Sequence, residues 1–359
     1  HGLKTGLIGT IHVKINDQMI PSDLTTPESL ELQKYFYDME KNDVSHVVME
    51  VSSAAQEMHR VETVPFDIVT LNNINREHID THGSFENYVN MKTKLIKNAS
   101  KDSVAVLNLD CPYTEQLLKE TKATPITFSV HSERGDLFVK NLDLSTGRAK
   151  FTVVIPNDIS VRDETISSGE FDIQLSIPGL HSVSNSMVAM IIGLINGVSI
   201  QTIQHTLKNF KGVERRFEFI YEEGPIVIDD HFANPGNIEV TLETISKMKY
   251  DKLNLVYAVR GQRGPIVNRE NAETVVKWAK KLELDEIIVT KSVSDVTFRD
   301  EVTDEELNAF VSVMEEANID VFIFDELRDA IYQSISISKP NDLILLAGCQ
   351  GMDHGAKIA

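Results

Sequence analysis

Glu50, Arg76, His78, Asp80, His82 and Lys92 fall close together in a chain of 359 residues. Glu50 ends the apolar run VVME, and the others belong to LNNINREHIDTHGSFENYVNMKTKL. Arg76, His78, Asp80 and His82 alternate, so an extended backbone would put them on one face. Tyr88 and Lys92 are four apart, as in Tyr-x-x-x-Lys opening a helix, with Lys94 just beyond. A carboxylate at a strand end, a His-rich loop and that helix could converge on a cation. Magnesium takes oxygen ligands, one or two from protein and the rest from water or phosphate. Imidazoles suit zinc, and histidines satisfied within a loop need no metal at all.

Those residues must be placed by the elements around them. LKTGLIGTIHV reads as one short apolar strand. In TTPE, Thr26 fits a helix N-cap and Pro27 the first helical position. Leu30, Leu32, Tyr35, Phe36 and Met39 then give the helix one buried face. HVVMEV, DIVTLNN and SVAVLNLD read as buried strands of a parallel sheet covered on both faces. Their carboxyl ends carry Glu50, Asn72–Asn73, Asn108 and Asp110, where open α/β sheets gather ligands. From Pro125 to Ile177 short runs bounded by Gly, Ser, Asn and Asp predict antiparallel strands. Asn185, in GLHSVSN before an apolar helix, fits a cap better than a base-contacting amide. From Glu214 onward PIVIDD, LNLVYAV, DEIIVT, DVFIF and DLILLAG alternate with helical patterns, a second doubly wound α/β domain.

Composition narrows the class. A chain this long exceeds one ordinary core, so two domains are expected. At 42% hydrophobic and 25% charged residues it reads as a soluble globular protein. A net charge of −19 argues against a general nucleic-acid or membrane-surface binder. Cys111 and Cys349 are the two cysteines, too few for a disulfide framework or a cysteine-based zinc site. No signal peptide or membrane-length run is visible, which fits a cytoplasmic protein.

GLKTGLIGT, TTPE, MEVSS followed by Arg60-Val61, NREHIDTHG with YVNMK, VLNLD and GLHSVSN occur in this order. In this the chain resembles the Mur ligases, ATP-dependent amide-bond-forming enzymes of peptidoglycan precursor synthesis. It is most similar to the branch that adds the third amino acid to UDP-N-acetylmuramoyl-dipeptide, with the best match from Gly2 to Glu218. The resemblance implies a central ATPase domain over 1–213, a parallel sheet plus a small antiparallel one. A Rossmann-like C-terminal domain would follow over 214–359. It implies ATP and Mg²⁺, with Glu50 and His78 as metal ligands. Lys92 matches the lysine that is carbamylated in the family and so turned from a cation into a ligand. Thr25, Thr26, Ser52 and Arg60 match muramoyl-substrate contacts. Asn185 matches an amide near the nucleotide, Arg216 the arginine of the GR-x-E segment, and Asp230 the aspartate of DYAHTP. Asn108 and Asp110 join the nucleotide side as strand-end polar groups. The implied partners are small molecules, a nucleotide-linked muramoyl peptide or similar carboxylate and an amino acid. No nucleic acid and no membrane is implied, and the protein is expected to be a monomer.

Departures matter too. No G-x-x-G-K-[ST] occurs in 1–359, and the family's phosphate loop would fall upstream of Gly2. The expectation is therefore that 1–359 as it stands does not hydrolyse ATP. Ala54 replaces a His after MEVSS, and Leu24 an Asn before TTP. KSVSDVTF stands where the diaminopimelate signature D-N-P-R is found, so the added amino acid is not assigned. AVRGQRGPIVNREN and AGCQGMDHG replace other C-terminal signatures. Arg260, Arg263 and Asn268 are either anion contacts for that substrate or a solvated basic loop. Two other function classes use the same residues. One is a Mur-like binding protein without catalysis; the other is a metal-dependent hydrolase built on Glu50, His78, Asp80 and His82.

Overall fold

The computed structural model of the chain describes residues 2–74, 82–162 and 164–359. It divides into two compact units, 1–140 with 152–172 and 184–205, and 141–151 with 173–183 and 206–359.

In the first unit, β1 (Thr5–Ile8), β2 (His12–Ile15), β3 (Gln18–Pro21) and β4 (His46–Met49) form a sheet in the order β3-β2-β1-β4. The predicted single strand LKTGLIGTIHV is thus two, folded back at Gly9-Thr10-Ile11 so that β1 and β2 pair antiparallel. β4 returns parallel to β1 through helix α1 (Ser29–Lys41). Where α1 crosses β1, a Cβ on Gly6 would lie 2.7 Å from Met39 Sδ, so the Met39 thioether would have to shift to admit it. Leu32 and Met39 bury themselves against Ile8, Val13 and Ile15. Leu30 does not join them; it is 85% exposed. Thr26 is not the cap of α1 either. Glu28 holds that position, and the Thr26 hydroxyl is engaged elsewhere. β4 is less covered than its apolar sequence predicts. It pairs with β1 alone, leaving Val47 and Val48 exposed.

A six-stranded sheet follows: β5 (Ile68–Leu71), β6 (Val104–Asn108), β7 (Thr124–Ser129), β8 (Leu137–Asp143), β9 (Arg148–Ile155) and β12 (Gly169–Pro178). Its order is β12-β9-β8-β7-β6-β5. Between β9 and β12 lies the small antiparallel pair β10 (Ile159–Val161) and β11 (Glu164–Ile166). Contrary to the antiparallel expectation for 125–177, β7 runs parallel to β6 and β8 parallel to β7. The β7–β8 pairing involves only the end of one and the start of the other. The chain therefore need not travel back a full strand length, and a short link suffices. Helix α2 (Ser53–Glu57) begins with the Ser52 hydroxyl accepting from the Ala55 amide at 3.1 Å. Helix α3 (Phe85–Lys97) is capped the same way, by Ser84 on the Asn87 amide. Helices α4 (Thr114–Glu120), α5 (Leu180–Ile195) and α6 (Ile200–Asn209) complete this stretch of chain.

The second unit is built on β13 (Glu218–Tyr221), β14 (Ile226–Asp230), β15 (Leu253–Ala258), β16 (Glu286–Thr290), β17 (Asp320–Phe324) and β18 (Leu343–Gly348). The order β13-β14-β18-β15-β16-β17 is parallel throughout except for β13. Helices α7 (Pro235–Ile245), α8 (Pro265–Leu282), α9 (Asp304–Glu316) and α10 (Leu327–Ile337) cover it. Successive residues of β15 point to opposite faces. Leu255 and Tyr257 accordingly enter one apolar cluster with α7, α8 and α9, while Val256 and Ala258 enter another with α10. β17 is an edge strand rather than a buried one, with Phe322 and Ile323 about half exposed. Among the described residues no helix is long and apolar enough to cross a membrane.

Candidate active site

Glu50 stands one residue past β4, its amide hydrogen-bonded to the Ile8 carbonyl at 2.9 Å. Its carboxylate accepts from the Thr10 hydroxyl at 2.9 Å, and Thr10 Oγ1 also lies 3.0 Å from Thr25 Oγ1. The Thr26 hydroxyl donates to the Glu50 carbonyl at 2.9 Å and accepts from the Ser52 amide at 3.0 Å. It is 1% exposed, so its own bonds use it up. Arg60 crosses beneath, donating to the Thr26 carbonyl at 2.9 Å and pairing with Glu28 at 2.6 Å. The result is a ring of hydroxyl and carboxylate oxygens around an exposed Glu50 whose second carboxylate oxygen points to no described partner. The open Glu50 oxygen is the kind of hard donor that Mg²⁺ takes, one or two from protein and the rest from water or phosphate. Among the described residues no three His, Cys, Asp or Glu side chains form a metal cage by themselves.

Lys92 lies on α3, with Nζ 5.6 Å over the ring of the fully buried Tyr88. Lys94, two residues on, donates to the Gln56 carbonyl at 3.0 Å and ties α3 to α2. Arg76, His78 and Asp80 lie outside the described residues, so the second proposed metal ligand has no position here. His82 is described and buried, 2.9 Å from both Ser53 Oγ and Glu57 Oε2.

Asn185 sits inside α5 rather than capping it. Its side-chain oxygen accepts from Asn72 Nδ2 at 2.7 Å. Asn108 in turn donates to the Asn72 carbonyl at 3.1 Å. The ends of β5 and β6 and helix α5 are thus joined by amides. Asp110 is occupied structurally, accepting from Ser129 Oγ at 2.7 Å and the Val130 amide at 2.6 Å.

In the second unit Asp230 accepts from the Phe217 amide at 2.9 Å and from the Thr241 hydroxyl. Burial raises its carboxyl pKa. Arg216 is exposed, whereas its neighbour Arg215, which the sequence did not single out, is a largely buried hub with its side chain 13% exposed. Arg215 donates to Asp229 at 3.2 Å, to the Gly348 carbonyl at 2.6 Å, to the Cys349 carbonyl at 3.1 Å, and to Asp353. Burial pushes Asp229 up to about 6, against the pull of Arg215. His231 is held below its usual range, first by burial and then by Arg215 and Arg216. Asn268 is fully buried, not part of a solvated loop. It accepts from the Arg260 amide and donates to the Arg260 carbonyl. Arg260 reaches the Ala233 carbonyl, and Arg263 pairs with Asp300 at 3.2 Å.

The missed residues differ in how visible they were. Ser53 and Glu57 stand at i, i+4 spacing on one helix face, a pattern open to inspection. Arg215 offered no local signal, since its partners come from distant strand ends.

Known proteins carry the same architecture. A solved UDP-N-acetylmuramoyl-L-alanyl-D-glutamate–2,6-diaminopimelate ligase superposes with a TM-score of 0.72 at 20% identity, over 96% of this chain and 67% of that one. The MurF ligase of Thermotoga maritima in complex with ADP gives a TM-score of 0.65 at 17% identity, over 99% and 72%. These define the fold, one shared with ligases built from α/β domains. Residues 2–193 match the Mur ligase middle domain and 215–350 the Mur ligase glutamate ligase domain, so the chain belongs to the Mur ligase family. The UDP-N-acetylmuramoyl-L-alanyl-D-glutamate–2,6-diaminopimelate ligase of Clostridium botulinum is 33% identical over 97% of this chain. The chain spans about two thirds of that relative, 67% of its length.

Proposed function

We propose that this chain forms the central and C-terminal parts of an ATP-dependent ligase joining an amino acid to a nucleotide-linked muramoyl peptide or a related carboxylate, with the domain boundary at 213/214. The observation that carries this is the oxygen ring around Glu50, set at the carboxyl ends of parallel strands in a chain of this family. ATP phosphorylates a substrate carboxylate, the amine of the incoming amino acid attacks the acyl phosphate, and phosphate leaves. The ADP held by the Thermotoga maritima ligase supports the nucleotide assignment.

Glu50, His78 and a carbamylated Lys92 are the residues that would hold Mg²⁺. A free ammonium donates and cannot coordinate a cation, so Lys92 needs the added carboxylate for that role. When bound, the metal would offset charge on the transferring phosphoryl group. Thr10 orients the Glu50 carboxylate, while Thr26 locks the Glu50 backbone. Thr25, Ser52 and Arg60 line the muramoyl side, with Arg60 held flat by Glu28 and Thr26. Asn185, fixed by Asn72, faces the nucleotide, with Asn108 and Asp110 shaping the strand ends behind it. Arg216, left exposed beside the largely buried Arg215, is available to an anion, with Asp230 behind it. The full-length protein, given ATP, Mg²⁺, UDP-N-acetylmuramoyl-dipeptide and a panel of amino acids, should release phosphate with at least one amino acid. No turnover with any combination, alongside measurable nucleotide binding, would favour the non-catalytic binding protein.

A further inference from the structure

His82, beside the ring on which Lys92 lies, has 1% of its side chain exposed. Nε2 lies 2.9 Å from Ser53 Oγ, and Nδ1 lies 2.9 Å from Glu57 Oε2. Its carbonyl accepts from Asn87 Nδ2 at 3.0 Å. Its ring packs on Tyr88 with centroids 5.6 Å apart and planes tilted by 45°. One side chain therefore touches both the face of α2 that carries Ser53 and Glu57 and the first turn of α3. The Nε2–Ser53 contact is the hydrogen bond of the set, while Nδ1 lies close to the Glu57 carboxylate without hydrogen-bond alignment. Ser53 is 7% exposed. Ser53 and His82 are turned inward while Glu57 reaches the surface, so the trio is a tether, not a nucleophile.

We infer that His82 is a positioning residue for Lys92, acting through Tyr88. The inference rests on the role proposed for Lys92 above. A lysine stem is long and flexible, and its ammonium gains direction only from what it lies against. Here that surface is the Tyr88 ring, under Lys92 Nζ at 5.6 Å. Tyr88 is fixed in turn by the His82 ring, and His82 by α2. Helix α2 starts at Ser52, whose amide binds the same Thr26 hydroxyl that holds Glu50. A continuous set of contacts thus runs from Glu50 through Thr26, Ser52, α2, His82 and Tyr88 to Lys92. It sets the metal-binding carboxylate and the lysine in one frame.

The test is residue-resolved acylation of lysines by an amine-reactive acetyl ester in CO₂-free buffer, read by peptide mass mapping on the 359-residue chain. Lys94, bonded to Gln56, and Lys97, paired with Glu120, are references on the same helix. His82→Ala should raise the Lys92 rate about two- to fivefold relative to both, the factor that losing an exposed cation–π contact allows. His82→Gln, whose amide can still meet Ser53, should stay nearer wild type. If His82→Ala does not fold, Ser53→Ala and Glu57→Gln each remove one tether and should move Lys92 the same way. A parallel rise at Lys92, Lys94 and Lys97 would reduce His82 to a general structural tie, and no rise at Lys92 would overturn the inference. Carbamate is scored separately, from the ¹³C signal of wild-type protein in labelled bicarbonate with Mg²⁺. Its absence would remove the assigned role of Lys92 without altering the acylation result.

Discussion

The two units carry polar groups at the carboxyl ends of parallel strands but use them oppositely. In the first, Glu50 is exposed and held by neutral hydroxyls, leaving its charge uncompensated by any described cation. In the second, Arg215 pairs with both Asp229 and Asp353, and its guanidinium also stitches the Gly348 and Cys349 carbonyls to β14. An unpaired, solvated carboxylate costs little to maintain and is free to bind. A buried ion pair holds strand ends together, and removing one partner strands the other. One rim leaves its carboxylate open; the other commits its charge to its own architecture.

The contrast can be broken from either side. On the role proposed for Glu50, Glu50→Gln should lower turnover of the full-length protein by at least about 10- to 100-fold, the loss that partners of metal ligands already carry. Its melting temperature should hardly change, because the lost charge has only a hydroxyl partner. A large stability loss with retained turnover would reverse the roles assigned to the two rims. Arg215→Ala should instead destabilise the protein by about 3 kcal/mol in urea unfolding, the scale of a broken buried pair. None of that loss is offset at the backbone, because alanine is as strained as arginine at the φ of 55° found there.

The pH dependence follows from Asp229. Its folded pKa is about 6, above the ordinary carboxyl value of about 4. The folded state therefore binds the proton more tightly than the unfolded one. Below about pH 4 both states are protonated and the group is neutral to stability. Between about 4 and 6 the unfolded state loses its proton first, so stability falls as pH rises, levelling off above 6. Asp229→Asn should flatten that slope, and an unchanged profile would place the titrating group elsewhere. Thr26→Val keeps the volume but removes two hydrogen bonds around Glu50, for about 1–3 kcal/mol and a measurable fall in turnover. The smallest effect belongs to Thr303, which caps α9 reciprocally with Glu306. Thr303→Ala should cost about 1 kcal/mol and leave activity alone.

Much of this was legible in the chain itself. Strand runs ending in Glu50, Asn72 and Asn108 announced both the parallel sheets and where polar groups would collect, because a strand's carboxyl end is set by where its apolar run stops. The six motifs in order pointed to the ligase family, and residues 2–193 and 215–350 match its domains. Local pattern failed where the partner is remote. Thr26 followed by Pro27 looks like a cap from its neighbours alone, but its hydroxyl bonds 24 residues away to the Glu50 carbonyl. Asn185 looks like another cap, yet its partner Asn72 is 113 positions distant. Val48 and Phe322 read as core because apolar runs do not reveal which strand ends a sheet.

Sequence alone thus determined the order of strands and helices, the residues able to bear a cation or a phosphate, and the chemistry those types permit. Tertiary structure decided which of them remain free. Glu50 keeps an open oxygen because Thr10 and Thr26 come from other segments to hold it. Arg215 is consumed because Asp229, Gly348 and Asp353 converge on it, whereas the adjacent Arg216 stays exposed. Two neighbouring arginines carry identical intrinsic charge, so only the surrounding fold could bind one to carboxylates and leave the other exposed.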